Sequence, residues 1–273
     1  MCTVPLLSSV CRESYNEPLE LYQTLKARGM DLVTVTDHDS IDAAECLRHF
    51  PDFFLSEEVT CTTPSGTEFH MGVYAMEERH HQQLQSRRGD LLSLIAYLNQ
   101  ERLFFSVNHV FSSLTGPRTE WDFALFEDYF PAFETRNGQM LRSANRAAAT
   151  LADRLGKVQL GGSDAHTLRS LGRTFTEVRG ARSREEFMRG VRSGRSVCHG
   201  VSGDYAKLTY AVWTIGCELI RERKWAAVLL PLLLAVPFVT AANYARELAF
   251  EKKWSRALLQ TRAIQPESVA EMA

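Results

Sequence analysis

The sequence predicts an α/β fold with a helical C-terminal extension, and three observations carry that expectation. Short β-branched runs alternate with segments of helical apolar spacing, the pattern of parallel α/β units, open or closed into a barrel. Several of those runs end in His, Asp or Asn, and the carboxyl ends of strands are where sheets and barrels hold their chemistry. The stretch 225–243, WAAVLLPLLLAVPFVTAAN, carries no charge and departs in composition from everything before it.

A chain of 273 residues can bury one full-sized core with a tail left over, or form two small domains. Its 45% hydrophobic and 23% charged content is that of a globular protein, and a net charge of −2 argues against nucleic acid as a partner. The six cysteines show no CxxC and no paired spacing, which suits free thiols in a reducing compartment. The N-terminus has neither the basic region nor the apolar core of a signal peptide, so the expected place of the main domain is the cytoplasm.

Residues 1–17 have no clear period. After Pro18, Leu19, Tyr22 and Leu25 fall at helical spacing, and Gly29 stands where a helix stops. Residues 32–36 read as a buried strand ending in Asp37-His38-Asp39, and Asp39 or Ser40 can cap a helix to about Leu47. Residues 53–55 and 58–61 read as strand. The turn Thr63-Pro64-Ser65-Gly66 leads into an alternating run over 68–74, so this segment reads as a hairpin. Residues 77–88 are polar and loop-like; Asp90 then caps a helix over 91–99. Further strands fall at 103–107, 132–134, 158–160 and 196–198, with helices over 141–155 and from Ser183, where Glu186 completes a capping-box pattern, to Val191.

Metal-binding side chains recur at or near the ends of these strands: His38, then Glu58 with His70, then His109, then Asp164 with His166. Neutral imidazole and carboxylate are ligands of zinc, manganese and iron, and one carboxylate can bridge two ions. His49, His80, His81 and His199 lie in polar or helical contexts and read as surface residues. Asn108, Arg136 and Arg173 stand beside or soon after the ligand motifs and are candidates for binding phosphate.

The ordered motifs TDHDS, EEVT with FHMGVY, VNHVF, FETRNG and GGSDAH resemble the PHP (polymerase and histidinol phosphatase) superfamily over about residues 1–200. The resemblance implies a distorted (β/α)7 barrel with up to three divalent metal ions (Zn, Mn or Fe) at the carboxyl ends of its strands, and phosphoesterase activity on a small phosphorylated substrate. It implies that Glu58 bridges two metals, with Glu57 as its competitor, and that His70 and His109 complete the second site. Asp164 would bind the first ion and His38 and His166 the third, with Asp37 and Asp164 taking part in catalysis. The sequence departs from the family at its start, where an HxH pair is expected and no His precedes His38. Cys2 or Cys11 would be a partial substitute as a thiolate ligand, but the favoured reading of both is a free thiol near the terminus. The expected function is metal-dependent hydrolysis of a phosphate ester. The alternative is a catalytically degenerate domain that binds metal or a phospholigand.

The domain boundary is expected near 203, with 204–273 as the helical extension. The uncharged stretch 225–243 is at the short end of a membrane-spanning length. Basic residues on both sides and Trp225, Tyr244 and Trp254 as interfacial aromatics predict membrane association, at the inner face because no signal peptide is seen; the alternative is a buried helical hairpin or dimerisation element.

Overall fold

The computed structural model describes residues 14–260. Pro18 opens α1 (Pro18–Ala27), where its missing N–H has no helical acceptor to lose, and Gly29 at φ +82° follows its end. With α2 (Asp42–Leu47), α1 closes over a small apolar cluster that includes Tyr22, Leu25, Val33, Leu47 and Phe53. The strand expected at 32–36 is an extended segment held by isolated parallel bridges, Val33 to Phe53 and His38 to Glu58. Between them Thr34 Oγ1 donates to the Phe54 carbonyl at 2.7 Å, taking an acceptor that a backbone ladder would use.

The main sheet runs β1 (Ser56–Thr62), β2 (Glu68–Tyr74), β3 (Phe104–Val107), β4 (Ala132–Asn137), β5 (Val158–Gly162) in spatial as in chain order. Pairing is antiparallel from β1 to β3 and parallel from β3 to β5. A link of five residues between β1 and β2 allows only a hairpin, because a parallel return needs a long crossover. A second sheet pairs β6 (Thr174–Glu177) with β7 (Val197–Gly200). It lies against β5 through Thr176 Oγ1, which accepts from Gly161 N and donates to Gly161 O, both at 2.8 Å. The described strands therefore form a mixed α/β fold in two sheets, where a single closed barrel of seven was expected.

One face of the main sheet is apolar. Val59, Cys61, Phe69, Met71, Val73, Phe105 and Val107 are buried against α4 (Leu91–Gln100), α5 (Glu120–Tyr129) and α6 (Arg142–Leu155). Residues expected as loop form α3 (Glu78–Arg87), whose inward face is made by His80 and Leu84; with one aliphatic residue the helix has almost no apolar period. His80 is thus buried, a correction to its expected surface position. Helix α5 was not anticipated either, although Thr119 and Asp122 form a reciprocal capping box at its start. Helix α7 (Arg184–Arg192) begins as expected, with Ser183 Oγ accepting from Glu186 N.

The C-terminal part comprises α8 (Tyr205–Glu222), a 3-10 segment (Lys224–Leu229), α9 (Leu230–Leu233) and α10 (Val236–Gln260). Pro231 and Pro237 each occupy the second position of a new helix, where a proline is tolerated, and the stretch 225–243 is broken at both. This corrects the expected spanning segment: among the described residues no helix is long and apolar enough to cross a membrane. The far half of α10 returns to the main body, where Trp254 and Leu258 join the large core cluster.

Candidate metal centre

Side chains alternate along a strand, so the residues between those core positions face the other way. Glu58, His70, Gly72, Tyr74 and Ser106 share this second face, with Gly72 opposite both Glu58 and Ser106. A Cβ on Gly72 would lie 2.3 Å from Tyr74 Oη, so only glycine leaves room for the tyrosine side chain to lie there. Tyr74 Oη bonds Ser106 Oγ at 2.9 Å, Ser106 donates to Asn108 Oδ1 at 2.7 Å, and Asn108 Nδ2 donates to Glu58 Oε1 at 3.0 Å. That chain fixes the Glu58 carboxylate.

Three imidazoles surround it. His38 Nε2 is 3.5 Å from Glu58 Oε2, and His70 Nδ1 and His109 Nε2 are 3.4 and 3.2 Å from Oε1. The other ring nitrogen of His109 lies 2.9 Å from Glu134 Oε2, which also accepts from His109 N at 3.1 Å. Burial alone would push the His109 pKa down, but the Glu134 and Glu58 carboxylates outweigh it and hold the imidazole well above its ordinary value. Burial likewise favours the neutral form of Glu58, yet its contacts with His109 and His70 hold the carboxyl well below the usual range.

Asn137 organises the remaining acids. Its Nδ2 lies 2.9 Å from Glu134 Oε1, 3.1 Å from Asp164 Oδ2 and 3.2 Å from His109 Nδ1. Its Oδ1 accepts from Gln139 N and Met140 N, which turns the chain sharply after β4. Burial raises the pKa of Asp164, but His166 and His109 outweigh it and lower the carboxyl. His166 Nδ1 lies 3.0 Å from the Asp164 carbonyl; a donated bond there leaves Nε2 as the ring atom with a lone pair. His109 and Asp164 both take left-handed backbone angles, φ +51° and +45°, a conformation that costs energy for residues with a Cβ and clusters at functional sites.

A divalent ion fits this donor set. The ligand atoms of His38, Glu58 and His70 all lie within 4.8 Å of one another. His70 Nδ1 is buried without a hydrogen-bond partner, because its approach to Glu58 lacks hydrogen-bond geometry. Burial also lowers the His70 pKa, which favours the neutral imidazole that metals bind.

The model of the PHP-associated family matches residues 142–196, a segment that includes Asp164 and His166. A two-domain protein from Bacteroides vulgatus, containing a predicted PHP-like metal-dependent phosphoesterase, superposes with a TM-score of 0.55 over 74% of this chain at 15% identity. The chain shares the fold of that PHP-like protein. It spans 66% of that protein's length, just under two thirds. PsfC from Pseudomonas syringae superposes with a TM-score of 0.54 at 18% identity, over 73% of this chain and 87% of PsfC. No curated protein matches the sequence.

His38, Glu58, His70, His109, Asp164 and His166 all lie in one cluster or at its immediate edge. Asp37 is exposed in the wall of the broad cleft above it. Glu57 is on the opposite face of β1, fully buried, bonded to His81 Nδ1 at 2.9 Å and Gln85 Nε2 at 2.6 Å. The phosphate candidates separate. Asn108 is buried and engaged with Glu58 and Ser106; Arg136 Nη1 donates to the Gly200 carbonyl at 3.0 Å; Arg173 is exposed between the cleft residues Gly172 and Thr174. Glu134 and Asn137 were not singled out from sequence. Asn137 ends β4, as His109 lies past the end of β3, and that placement was the available signal for it; Glu134 stands inside the strand, ahead of a register shift between Glu134 and Arg136. Cys2 and Cys11 lie outside the described residues.

Proposed function

We propose that this chain is a divalent-metal-dependent phosphoesterase acting on a small phosphorylated substrate. The single observation that carries this reading is Glu58, a buried carboxylate in contact with His38, His70 and His109 on the polar face of a PHP-type sheet. His38, Glu58 and His70 would hold one ion, and His109, Glu134, Asp164 and His166 supply donors for others. A bound divalent ion lowers the pKa of a water toward neutrality and offsets charge on the phosphoryl oxygens. Asn108 and Asn137 hold the carboxylates in place through the bonds described above, so the donors need little rearrangement. Asp37, exposed to the cleft, is the group proposed to exchange protons with solvent and the leaving oxygen. Arg173 is the proposed phosphate-binding cation, because Asn108 and Arg136 are engaged elsewhere.

The test combines elemental analysis with hydrolysis of p-nitrophenyl phosphate before and after chelation. Two or more ions per chain, with turnover lost on chelation, restored by Zn, Mn or Fe and reduced in His70→Ala, supports the reading. Bound metal without turnover supports the second reading, a ligand-binding PHP domain without catalysis. Neither metal nor turnover overturns both.

A further inference from the structure

Among the described residues, the connection between α8 and α10 with the start of α10 presents the largest run of exposed apolar side chains. Trp225, Val228, Leu230, Leu232, Leu234, Phe238 and Val239 are each more than half exposed, Leu234 and Phe238 at 72% and 77%. Others in the same stretch turn inward. Ala226, Leu233 and Val236 are buried, and Leu233 packs on Gly216 of α8, so the connection is folded against α8 and its exposed residues form an outer face. Surface patches of this kind mark a docking site.

The chemistry of the face points to its occupant. From 225 to 243 the only side chains able to form hydrogen bonds are the Trp225 indole, Thr240 and Asn243, and Thr240 Oγ1 is already bonded to the Val236 carbonyl at 2.8 Å. Protein interfaces carry many hydrogen bonds and a polar rim, which such a face cannot supply; hydrocarbon asks for none. At the start of the stretch Arg221 is paired with Glu218 at 2.8 Å and Glu222 follows it, and the exposed cations Arg223 and Lys224 then stand immediately before Trp225. Basic residues, then an indole, then aliphatic residues is the order met in passing from headgroups to acyl chains. The breaks at Pro231 and Pro237 give short helical pieces that lie at an interface without crossing it.

We propose that residues 221–239 dock this protein onto an anionic lipid surface as an interfacial, non-spanning anchor, with Leu234 and Phe238 in the acyl boundary and Arg223 and Lys224 among the headgroups. The inference is independent of the proposed catalysis. The test is flotation of the full chain with vesicles of phosphatidylcholine containing phosphatidylglycerol, beside pure phosphatidylcholine vesicles. The full chain is expected to float with the anionic vesicles. Leu234→Asp with Phe238→Asp should lower the bound fraction at least about tenfold, and Arg223→Glu with Lys224→Glu should remove the preference for anionic lipid. Acyl-chain quenchers should quench the parent chain, and Trp225→Phe, which leaves the core Trp254 in place, should remove that quenching. Failure to float, or Trp225 fluorescence blind to the quenchers, overturns the proposal. So does a dimer in solution, seen by light scattering, that Leu234→Asp with Phe238→Asp dissociates, because that result assigns the face to a second copy.

Discussion

Asn137 is the residue on which the acidic half of the site turns. Its amide nitrogen donates to Glu134 and Asp164 and lies beside His109 Nδ1, while its oxygen accepts two backbone N–H groups. Asn137→Leu keeps the volume and strands those donors, so the unfolding free energy in urea should fall by roughly 2–4 kcal/mol, the effect of a few unsatisfied buried groups. Glu134→Gln is the gentler probe. The isosteric amide keeps the shape and removes the charge beside His109, and bound metal per chain should fall while the urea midpoint moves little. An unchanged metal content would remove Glu134 from the site. The sequence makes the histidines legible because each strand-end His is a rare, isolated signal. Glu134 sits inside FETRN, where a charged residue in a strand reads as solvent-facing alternation, and Asn137 carries no charge to mark it. What distinguishes them is that neighbouring strands point their ends at the same place, and that is a property of the sheet.

At the scale of elements, β4 and β5 must approach closely enough for Asn137 to reach Asp164. Gly138 permits this: its N–H bonds the Gly162 carbonyl at 2.9 Å, and an added Cβ would lie 2.4 Å from the Ser163 carbonyl oxygen, which is backbone and cannot swing aside. Gly138→Ala should therefore force the two strand ends apart, at about 1–3 kcal/mol in stability as for other overpacking, with loss of bound metal. Normal stability with full metal content would show that the loops tolerate the shift. The same scale explains which elements the sequence revealed. The hairpin β1–β2, helix α4 and helix α6 announce themselves by alternation, by Asp90 as a cap and by an alanine-rich period. Helix α3 does not, because its buried positions are His80 and Leu84 in a run of Gln, Arg and Glu. The segment 32–36 erred the other way: its β-branched residues fit a strand, but Thr34 spends its side chain on a ladder acceptor, and only isolated bridges remain.

Across the whole molecule, the C-terminal helices are tied to the core and to the loop after His109. Trp254 of α10 packs at a tilt of 43° against Phe123 with ring centroids 4.8 Å apart, inside the main apolar cluster, and is 5% exposed. Farther up the same helix, the Glu247 carboxylate accepts from Ser113 N at 3.1 Å and from the Ser113 hydroxyl. Ser113 follows Ser112, whose N–H bonds the His109 carbonyl, so one helix both completes the core and clamps the loop that carries a ligand. Two substitutions separate these roles. Trp254→Ala removes a large buried ring and should lower the unfolding free energy by about 3–5 kcal/mol in urea. Glu247→Ala removes only the clamp; global stability should change by about 1 kcal/mol, while amides 110–116 exchange faster with solvent. If hydrogen exchange at 110–116 is the same in Glu247→Ala as in the parent, α10 supports the core alone, and the position of His109 is set entirely by Glu58 and Glu134.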